Sequence, residues 1–370
     1  MTQISLAARL YFRPTAFIAA PFDRDGQALR LAGGMLWFSA VDVIAIEGGR
    51  RVADQLVPVE RLDALLATLS PAQAEAARGT IARLTAPRPH LQCGDRTIRL
   101  DQPQVMAILN MTPDSFSDGG AYVDDPASAA DAGVAMAAAG AAIIDVGGES
   151  TRPGATTVWE GDEIARTVPV IERLARAGTA VSIDTRKAAV MEATLAAGAH
   201  IVNDVSALLW DERARAVVAA AGCPVVLMHH QGDPQTMQDD PRYGDALIEV
   251  YDWLEARIAA AEAAGIPRAR IIVDPGIGFG KSVRHNLAIL NGLALFHGLG
   301  CPVLLGASRK RLIGALADEA PADRRLPGSL ALALAGANAG CQLIRVHDVA
   351  ETVQALKVWR GMRDEALSPQ

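Results

Sequence analysis

The most restrictive feature of the sequence is a unit that repeats from residue 105 onward. Each unit is a short apolar run that ends in a polar residue and is followed by an Ala-rich helical stretch. Short apolar strands alternating with helices are typical of a parallel sheet covered by helices, and eight such units predict a (β/α)8 TIM barrel. The eight runs are residues 105–109, 142–146, 180–183, 200–202, 224–228, 271–273, 302–305 and 342–346.

An open, doubly wound parallel sheet is the alternative α/β fold. That fold usually has fewer strands, and it places a glycine-rich turn after the first one. In this sequence the first run is followed by Asn110, Met111, Thr112 and Pro113. The number of units and the missing glycine turn both favour the barrel.

Residues 1–88 do not follow this repeat. They contain strand-like pieces at 15–20 and 41–47 and helical patterns at 60–70 and 71–84, the second opened by Pro71. A linker-like segment, TAPRP, ends this region. We therefore predict a small α+β N-terminal domain over 1–88, whose role cannot be read, and a barrel domain over 89–370.

Composition and charge exclude several classes of protein. The 370 residues include 35 Lys and Arg against 42 Asp and Glu, and this acidic balance argues against a nucleic-acid-binding protein. Four widely spaced cysteines exclude a zinc ribbon or a disulfide scaffold. No apolar stretch is long enough to span a membrane, and Arg9 and Arg13 interrupt the apolar N-terminus. We expect a cytoplasmic protein without nucleic-acid or membrane partners.

Polar side chains follow all eight apolar runs. Helix capping and turn formation account for some of them. In a barrel, however, the C-terminal ends of all strands meet at one mouth, where active sites lie. The residues are Asn110, Asp145, Asp184, Asn203, His229, Asp274, Ser308 to Lys310, and Arg345 with His347.

The first two of these loops have the composition of ligand-binding loops. Residues 110–120 are rich in Gly, Ser and Asp, which favours a mobile lid over an ordinary connection. In the second loop, Gly147 and Gly148 let the backbone approach a ligand, and Thr151 and Arg152 offer a hydroxyl and a bidentate anion contact. A plain surface turn is the alternative for the second loop.

Two carboxylates and an amide, Asp184, Asn203 and Asp274, could accept hydrogen bonds from a heterocycle with an amino-amide edge. Helix capping is the alternative role for each. The segment 276–282, GIGFGKS, resembles a nucleotide-binding loop. We reject that interpretation because Pro275 and Lys281 occupy positions where the two nucleotide motifs require glycine.

The last two strand ends predict an anion site. Ser308 is expected to cap a helix whose first turn holds Arg309, Lys310 and Arg311, and three cations there favour a bound anion over a solvated face. Arg345 and His347 lie two apart on the eighth run, so both should face the mouth. Adjacent residues on a strand face opposite ways, so His229 and His230 are not expected to share a metal.

Seven motifs in this order resemble the dihydropteroate synthase family, over residues 91–359. They are ILNMTPDSFSDGG, DVGGESTRPGA, HIVND, LMHHQGDPQTMQ, VDPGIGFGK, GASRK and IRVHDVAET. The resemblance implies a pterinylmethyl transferase of folate biosynthesis. Such an enzyme condenses (7,8-dihydropterin-6-yl)methyl diphosphate with 4-aminobenzoate and yields dihydropteroate and diphosphate.

The resemblance also implies roles for individual residues. Lys310 would donate to the pterin ring, Arg345 would stack on it, and Asn110 would help to hold Mg²⁺ and the diphosphate. The start of the helix near Arg311 would face the aminobenzoate carboxylate. The catalytic residues implied are Asn110, Lys310, Arg345 and His347. The substrate-binding residues implied are Thr151, Arg152, Asp184, Asn203, Met228, Asp274, Phe279, Gly306, Lys310, Arg311, Arg345 and His347.

Two other functions use the same pterin-binding acids. One is the pterin domain of a methyltransferase, which has no need of the lid or of the anion set Lys310, Arg345 and His347. The other is a pterin-binding paralogue without catalysis. The core family lacks residues 1–88, and Arg186 stands where a smaller residue is frequent. We expect a homodimer.

Overall fold

In the computed structural model, the described residues are 4–112, 125–150, 157–232 and 236–368. Thr151, Arg152 and residues 113–120 of the predicted lid lie outside them. Asn110, Met111 and Thr112 are the described part of that loop.

The N-terminal region contains an antiparallel sheet with a long central strand and two helices, which agrees with the predicted α+β fold. The central strand β3 pairs with the other three, and Gly48 and Gly49, with φ of 57° and 74°, make the tight turn that leads from it into β4. Pro71 opens the second helix as predicted, behind a capping box of Ser70 and Gln73. The elements are β1 (Arg9–Ile18), β2 (Leu29–Arg30), β3 (Trp37–Glu47), β4 (Arg50–Pro58), α1 (Leu62–Leu66) and α2 (Pro71–Thr85).

The predicted barrel is confirmed, strand by strand. A hairpin of β5 (Leu91–Cys93) and β6 (Arg96–Ile98) precedes it, with Gly94 at its tip. The parallel strands lie side by side in the order β12, β11, β10, β9, β8, β7, β14, β13, and a bridge between Val273 and Val303 closes the ring. These strands are β7 (Gln104–Asn110), β8 (Ile143–Gly147), β9 (Val181–Asp184), β10 (Ile201–Asp204), β11 (Val225–Met228), β12 (Ile271–Asp274), β13 (Leu304–Leu305) and β14 (Leu343–Val346).

Helices follow the strands and cover the outside of the barrel. Among the described residues, no helix is long and apolar enough to cross a membrane. The helices are α3 (Pro126–Ala138), α4 (Glu160–Arg176), α5 (Ala188–Ala196), α6 (Ala214–Ala221), α7 (Ala246–Ala263), α8 (Val283–Asn291), α9 (Arg311–Leu316), α10 (Leu326–Asn338) and α11 (Val349–Ala366).

The lower interior of the barrel is an apolar floor, to which seven strands and Ala180, the residue just before β9, contribute. Four hairpin residues, Leu91, Cys93, Ile98 and Leu100, join this buried cluster and so close the bottom of the barrel. Because side chains alternate along a strand, the next inward position lies two residues closer to the mouth. The floor residues from the strand region are Met106, Ile143, Ala180, Ile201, Val226, Ile272, Leu304 and Leu343.

The N-terminal region packs against one side of the barrel. Its buried side chains belong to the same apolar cluster as the outer barrel core. Arg88 donates to the His297 carbonyl oxygen at 2.9 Å, and the Tyr11 hydroxyl reaches both carboxylate oxygens of Asp252 at 2.8 and 2.9 Å. The division of the chain into domains at residue 88 stays a prediction.

Replacing Tyr11 with Phe should lower the stability of the whole chain and leave its activity unchanged. The change removes a hydrogen bond to a partly buried carboxylate, a contact that contributes about 1.5–3 kcal/mol. Chemical denaturation measures the loss. The matched control is Arg176→Gln, which breaks an exposed ion pair with Glu172 and should cost under about 0.5 kcal/mol. An equal cost for the two variants would mean that the Tyr11 contact contributes little.

Candidate functional site

A polar layer lies directly above the apolar floor of the barrel. Asp145, Asn203, Asp274 and Arg345 each lie two residues beyond a floor residue on their own strand, so strand alternation turns them inward. Asp145, Asn203 and Asp274 are buried. These four of the predicted strand-end residues therefore meet at one mouth, as the barrel requires.

The Arg345 guanidinium joins two carboxylates at the centre of this layer. Its Nε donates to Asp145 Oδ2 at 2.6 Å, and its Nη2 donates to Asp184 Oδ2 at 2.7 Å. Asn203 Nδ2 donates to the same Asp145 oxygen at 2.9 Å. An ionised carboxylate only accepts, so Asn203 turns its nitrogen toward Asp145 and its oxygen away from it.

Burial shifts the pKa of two carboxyl groups at the mouth, those of Asp184 and Asp274. Burial raises the pKa of Asp184. The positive charge of Arg345 opposes this shift, and the charge of Asp145 adds to it. Burial also raises the pKa of Asp274. The hydrogen bond from Gly276 N at 2.7 Å and the charge of Lys310 both act to lower that pKa. Arg345 donates to Asp184 Oδ2 and Gly276 N donates to Asp274 Oδ1. The other oxygen of each carboxylate, Asp184 Oδ1 or Asp274 Oδ2, takes no part in these two hydrogen bonds.

An aromatic ring and a lysine border the layer on the side of β12 and β13. Lys310 Nζ lies 4.0 Å from the centroid of the Phe279 ring, which is a cation–π distance. Gly306 leaves room beside Asp274, because a Cβ there would lie 3.4 Å from Asp274 Oδ2. Met228 is buried at the end of β11. These predicted site residues therefore lie close to Asp274.

The expected role of Ser308 as a helix cap is wrong. The helix begins at Arg311, Lys310 precedes it, and no side chain caps it. Arg309 has a φ of 56° and pairs with Asp348, so it is not in the first turn of the helix either. Ser308 Oγ instead lies 3.1 Å from His347 Nδ1, joining the ends of β13 and β14.

Two predicted residues stand at the edge of the layer. Asn110 ends β7, and a Cβ at Gly147 would lie 3.6 Å from Asn110 Oδ1 and 3.7 Å from Asp184 Cβ. The amide of Asn110 therefore reaches the side of the mouth where Asp184 lies. Arg311 is exposed at the first residue of α9.

Sequence reasoning missed the residues that support this layer. It noted Asp145 only as a strand end, although Asp145 holds both Arg345 and Asn203. Glu149 was also missed: it accepts from Val158 N at 2.9 Å and from Arg186 Nε at 3.0 Å, and so joins the segments after β8 and β9. The one sequence signal for Asp145 was its period-two spacing from Ile143 on an apolar strand.

The described residues contain no group of three or more His, Cys, Asp or Glu side chains arranged to hold a metal ion. His229 is buried and contacts Lys281, with 2.8 Å between His229 Nδ1 and Lys281 Nζ.

Comparison with known proteins identifies the class. A sequence model of pterin-binding enzymes matches residues 106–347. A dihydropteroate synthase of Escherichia coli K12 is 47% identical over 263 residues, which cover 71% of this chain and 92% of that protein. The Xanthomonas albilineans dihydropteroate synthase solved with 4-aminobenzoic acid is 48% identical with a TM-score of 0.69, covering 75% of this chain and 98% of that one. The Burkholderia cenocepacia dihydropteroate synthase complexed with 7,8-dihydropteroate is 41% identical, also with a TM-score of 0.69 and with coverage of 75% and 98%.

The barrel and its polar layer thus define a pterin-binding enzyme. Within that class, the chain belongs to the dihydropteroate synthase family.

Replacing Asp145 with Asn should impair the site although Asp145 is not expected to touch substrate. Arg345 and Asn203 donate to the same oxygen, Asp145 Oδ2, and an amide oxygen could still accept from both, but the substitution removes the negative charge that pairs with the guanidinium. Loss of a charged hydrogen bond costs about 1.5–3 kcal/mol. We expect kcat/KM to fall roughly 10- to 150-fold, measured by steady-state kinetics. The control is Asp240→Asn, an exposed carboxylate paired with Arg242. A kcat/KM like that of the control would show that Asp145 does not organise the site.

Proposed function

We propose that this chain condenses (7,8-dihydropterin-6-yl)methyl diphosphate with 4-aminobenzoate to form dihydropteroate and diphosphate. The observation that carries the proposal is the layer of Asp145, Asn203, Asp274 and Arg345 at the barrel mouth of a member of this family. Relatives solved with 4-aminobenzoic acid and with 7,8-dihydropteroate support it. The direct test is an assay for dihydropteroate with both substrates. Pterin binding without product would instead identify a non-catalytic paralogue.

The pterin ring is bound by hydrogen-bond acceptors of the polar layer. The 2-amino-4-oxo edge of a pterin presents N–H donors, which suit the carboxylates of Asp184 and Asp274 and the amide oxygen of Asn203. Lys310 donates to the carbonyl oxygen or a ring nitrogen. The Phe279 ring, whose centroid lies 4.0 Å from Lys310 Nζ, packs beside the pterin. Met228 forms a second apolar contact with the pterin ring.

The leaving diphosphate is bound on the β14 side of the mouth. Arg345 supplies a planar guanidinium there, and His347 donates a further hydrogen bond. Thr151 and Arg152 are assigned to the same anion on the basis of their motif. Negative charge on the diphosphate grows as its C–O bond breaks, so these contacts strengthen toward the transition state and accelerate the reaction.

The reaction needs no covalent nucleophile. The C–O bond breaks with its electron pair going to diphosphate, and the pterin ring stabilises the resulting carbocation. The amine nitrogen of 4-aminobenzoate then forms the new bond to carbon and loses a proton. The protein contributes orientation, anion binding and exclusion of water. Arg311, exposed at the start of α9, is assigned to the aminobenzoate carboxylate.

Asn110 fits the role of a magnesium ligand. Its amide oxygen is a hard donor at the mouth, near Asp184, and no metal site made of several His, Cys, Asp or Glu residues competes with it among the described residues. Mg²⁺ commonly takes one or two protein oxygens and completes its shell with water and substrate phosphates. When bound, the ion would neutralise charge on the diphosphate.

The homodimer is a further proposal, supported by an apolar pair on α11. Val358 and Met362 lie one turn apart, and each is 62% exposed. Sedimentation should give twice the chain mass of 38.8 kDa. A cytoplasmic location stays a prediction.

The affinity for a pterin should fall as the pH is lowered, because Asp184 must be ionised to accept from the ring. Burial raises the pKa of Asp184, so its charge is lost at a higher pH than the ordinary value of about 3.9. Calorimetry with 6-hydroxymethylpterin measures the pH dependence. Asp184→Asn should weaken binding at high pH and flatten the low-pH fall. A variant with the same pH dependence as the wild type would remove Asp184 from the pterin site.

Replacing His347 with Ala should lower kcat without affecting the binding of a pterin that lacks diphosphate. The imidazole is assigned to the leaving group alone, and its Nδ1 faces Ser308 Oγ at 3.1 Å. Steady-state kinetics and calorimetry separate the two effects. If affinity for 6-hydroxymethylpterin drops tenfold or more, about 1.4 kcal/mol, His347 shapes the ring pocket and its anion role is wrong.

A further inference from the structure

The segment 276–282, whose sequence is similar to a nucleotide-binding loop, follows β12 and lies against the end of β11. Gly276 and Gly280 have positive φ values of 66° and 62°. A Cβ at Gly276 would lie 1.9 Å from the His229 carbonyl oxygen, and one at Gly280 would lie 2.2 Å from that of Gln231. Only glycine fits at these two positions, so the path of the loop is fixed by close backbone contact.

The side chain of Lys281 folds back beneath this loop and is only 3% exposed. Its Nζ lies 2.8 Å from the Gly276 carbonyl oxygen, 3.0 Å from that of Phe279 and 2.8 Å from His229 Nδ1. The His229 carbonyl oxygen is a fourth and longer contact of the same Nζ, at 3.3 Å, so every N–H donor of the ammonium group has an acceptor within reach. A phosphate-binding loop points its N–H groups inward, whereas this loop points carbonyl oxygens toward the Lys281 ammonium group. Burial lowers the pKa of Lys281 to about 7, an effect that the charge of Asp274 opposes, so the ammonium form dominates below that pH.

The imidazole of His229 acts as an acceptor in this arrangement. Burial lowers the pKa of His229 to about 2, and the charge of Lys281 adds to that effect, so the ring is neutral and Nδ1 can accept. Trp253 packs on the same ring, with the two centroids 4.8 Å apart. The acceptor is therefore held in place from the α7 side.

Groups assigned to the pterin are attached to the same loop. Gly276 N donates to Asp274 Oδ1 at 2.7 Å, and Phe279 carries Lys310 Nζ over its ring. Lys281 bonds the carbonyl groups of both Gly276 and Phe279. We therefore expect a substitution of Lys281 to displace both the Asp274 carboxylate and the Phe279 ring.

We propose that Lys281 is a positioning residue that sets the pterin pocket by holding the 276–280 loop, with its ammonium bound between His229 and two carbonyl oxygens of that loop. Its buried side chain lies behind Asp274 and Phe279 and acts through them. This role rests on the proposed function, since it assumes that Asp274 and Phe279 face the pterin.

Lys281→Met tests the role because it keeps the length of the side chain and removes the three donors. We expect the Kd for 6-hydroxymethylpterin, measured by calorimetry, to rise about tenfold or more, the scale of a lost charged hydrogen bond. The KM for 4-aminobenzoate should change less than about twofold, well below that scale. The matched control is Lys357→Met, an exposed lysine on α11, which should leave both values unchanged.

A pH profile separates positioning from a general loss of structure. Lys281, Lys310 and Arg345 all face Asp274 and favour its charged form. Without the charge of Lys281, pterin affinity should begin to fall at a higher pH than in the wild type. His229→Phe keeps the charge of Lys281 and removes the Nδ1 acceptor. This variant should therefore weaken pterin binding without shifting the pH at which the affinity begins to fall. It also serves as the deciding variant if Lys281→Met does not fold.

Two reference variants distinguish the failure of this role from the failure of the function. Asp274→Asn and Phe279→Ala should both weaken pterin binding. If they do so while the Lys281 and His229 variants bind like the wild type, or lose both substrates equally, the positioning role is wrong. If none of the four variants affects pterin binding, the pocket assignment and the proposed function fail together.

Discussion

The Arg345 guanidinium, shared between Asp145 and Asp184, is the interaction on which the rest of the site depends. Asp145 is fully buried, and an unpaired carboxylate inside a barrel would cost several kcal/mol. Arg345 compensates that charge through Nε, which donates to Asp145 Oδ2 at 2.6 Å. Its Nη2 donates to Asp184 Oδ2 at 2.7 Å. One side chain therefore stabilises the buried Asp145 and also holds Asp184 in position.

The apolar floor beneath this layer makes these contacts effective. Residues from seven barrel strands, Ala180 just before the eighth, and the hairpin of β5 and β6 seal the bottom of the barrel. Electrostatic contacts are stronger where water is excluded, so the sealed floor strengthens the ion pairs of Arg345 above it. The hairpin contributes to the site by closing this floor.

The sequence predicted the fold and the location of the site because both follow from strand periodicity. The apolar runs located all eight strands, and the polar residues after them, such as Asn203 and Asp274, do meet at the mouth. Pairings between strands were not predictable, because they depend on the register with which the barrel closes. Asp145 was therefore missed as the partner of Arg345, and Ser308 was assigned to a helix cap although it contacts His347.

Lys281 shows the same limit in a single loop. The residues around GIGFGKS ruled out a nucleotide site, yet nothing in their spacing showed that the lysine would fold back on the carbonyl oxygens of Gly276 and Phe279. That contact requires positive φ at the glycines and a neutral imidazole from the neighbouring strand end. Each condition comes from tertiary structure rather than from local sequence.

The most direct test of the central role of Arg345 is a double-mutant cycle on kcat/KM with Asp145→Asn and Arg345→Gln. Residues in direct contact within one ionic network couple by about 0.5–3 kcal/mol. We predict a coupling energy of at least about 1.5 kcal/mol, the lower end for a charged hydrogen bond, so the double variant should be little worse than the poorer single one. Strictly additive losses would contradict the account, because they would mean that the two residues act independently.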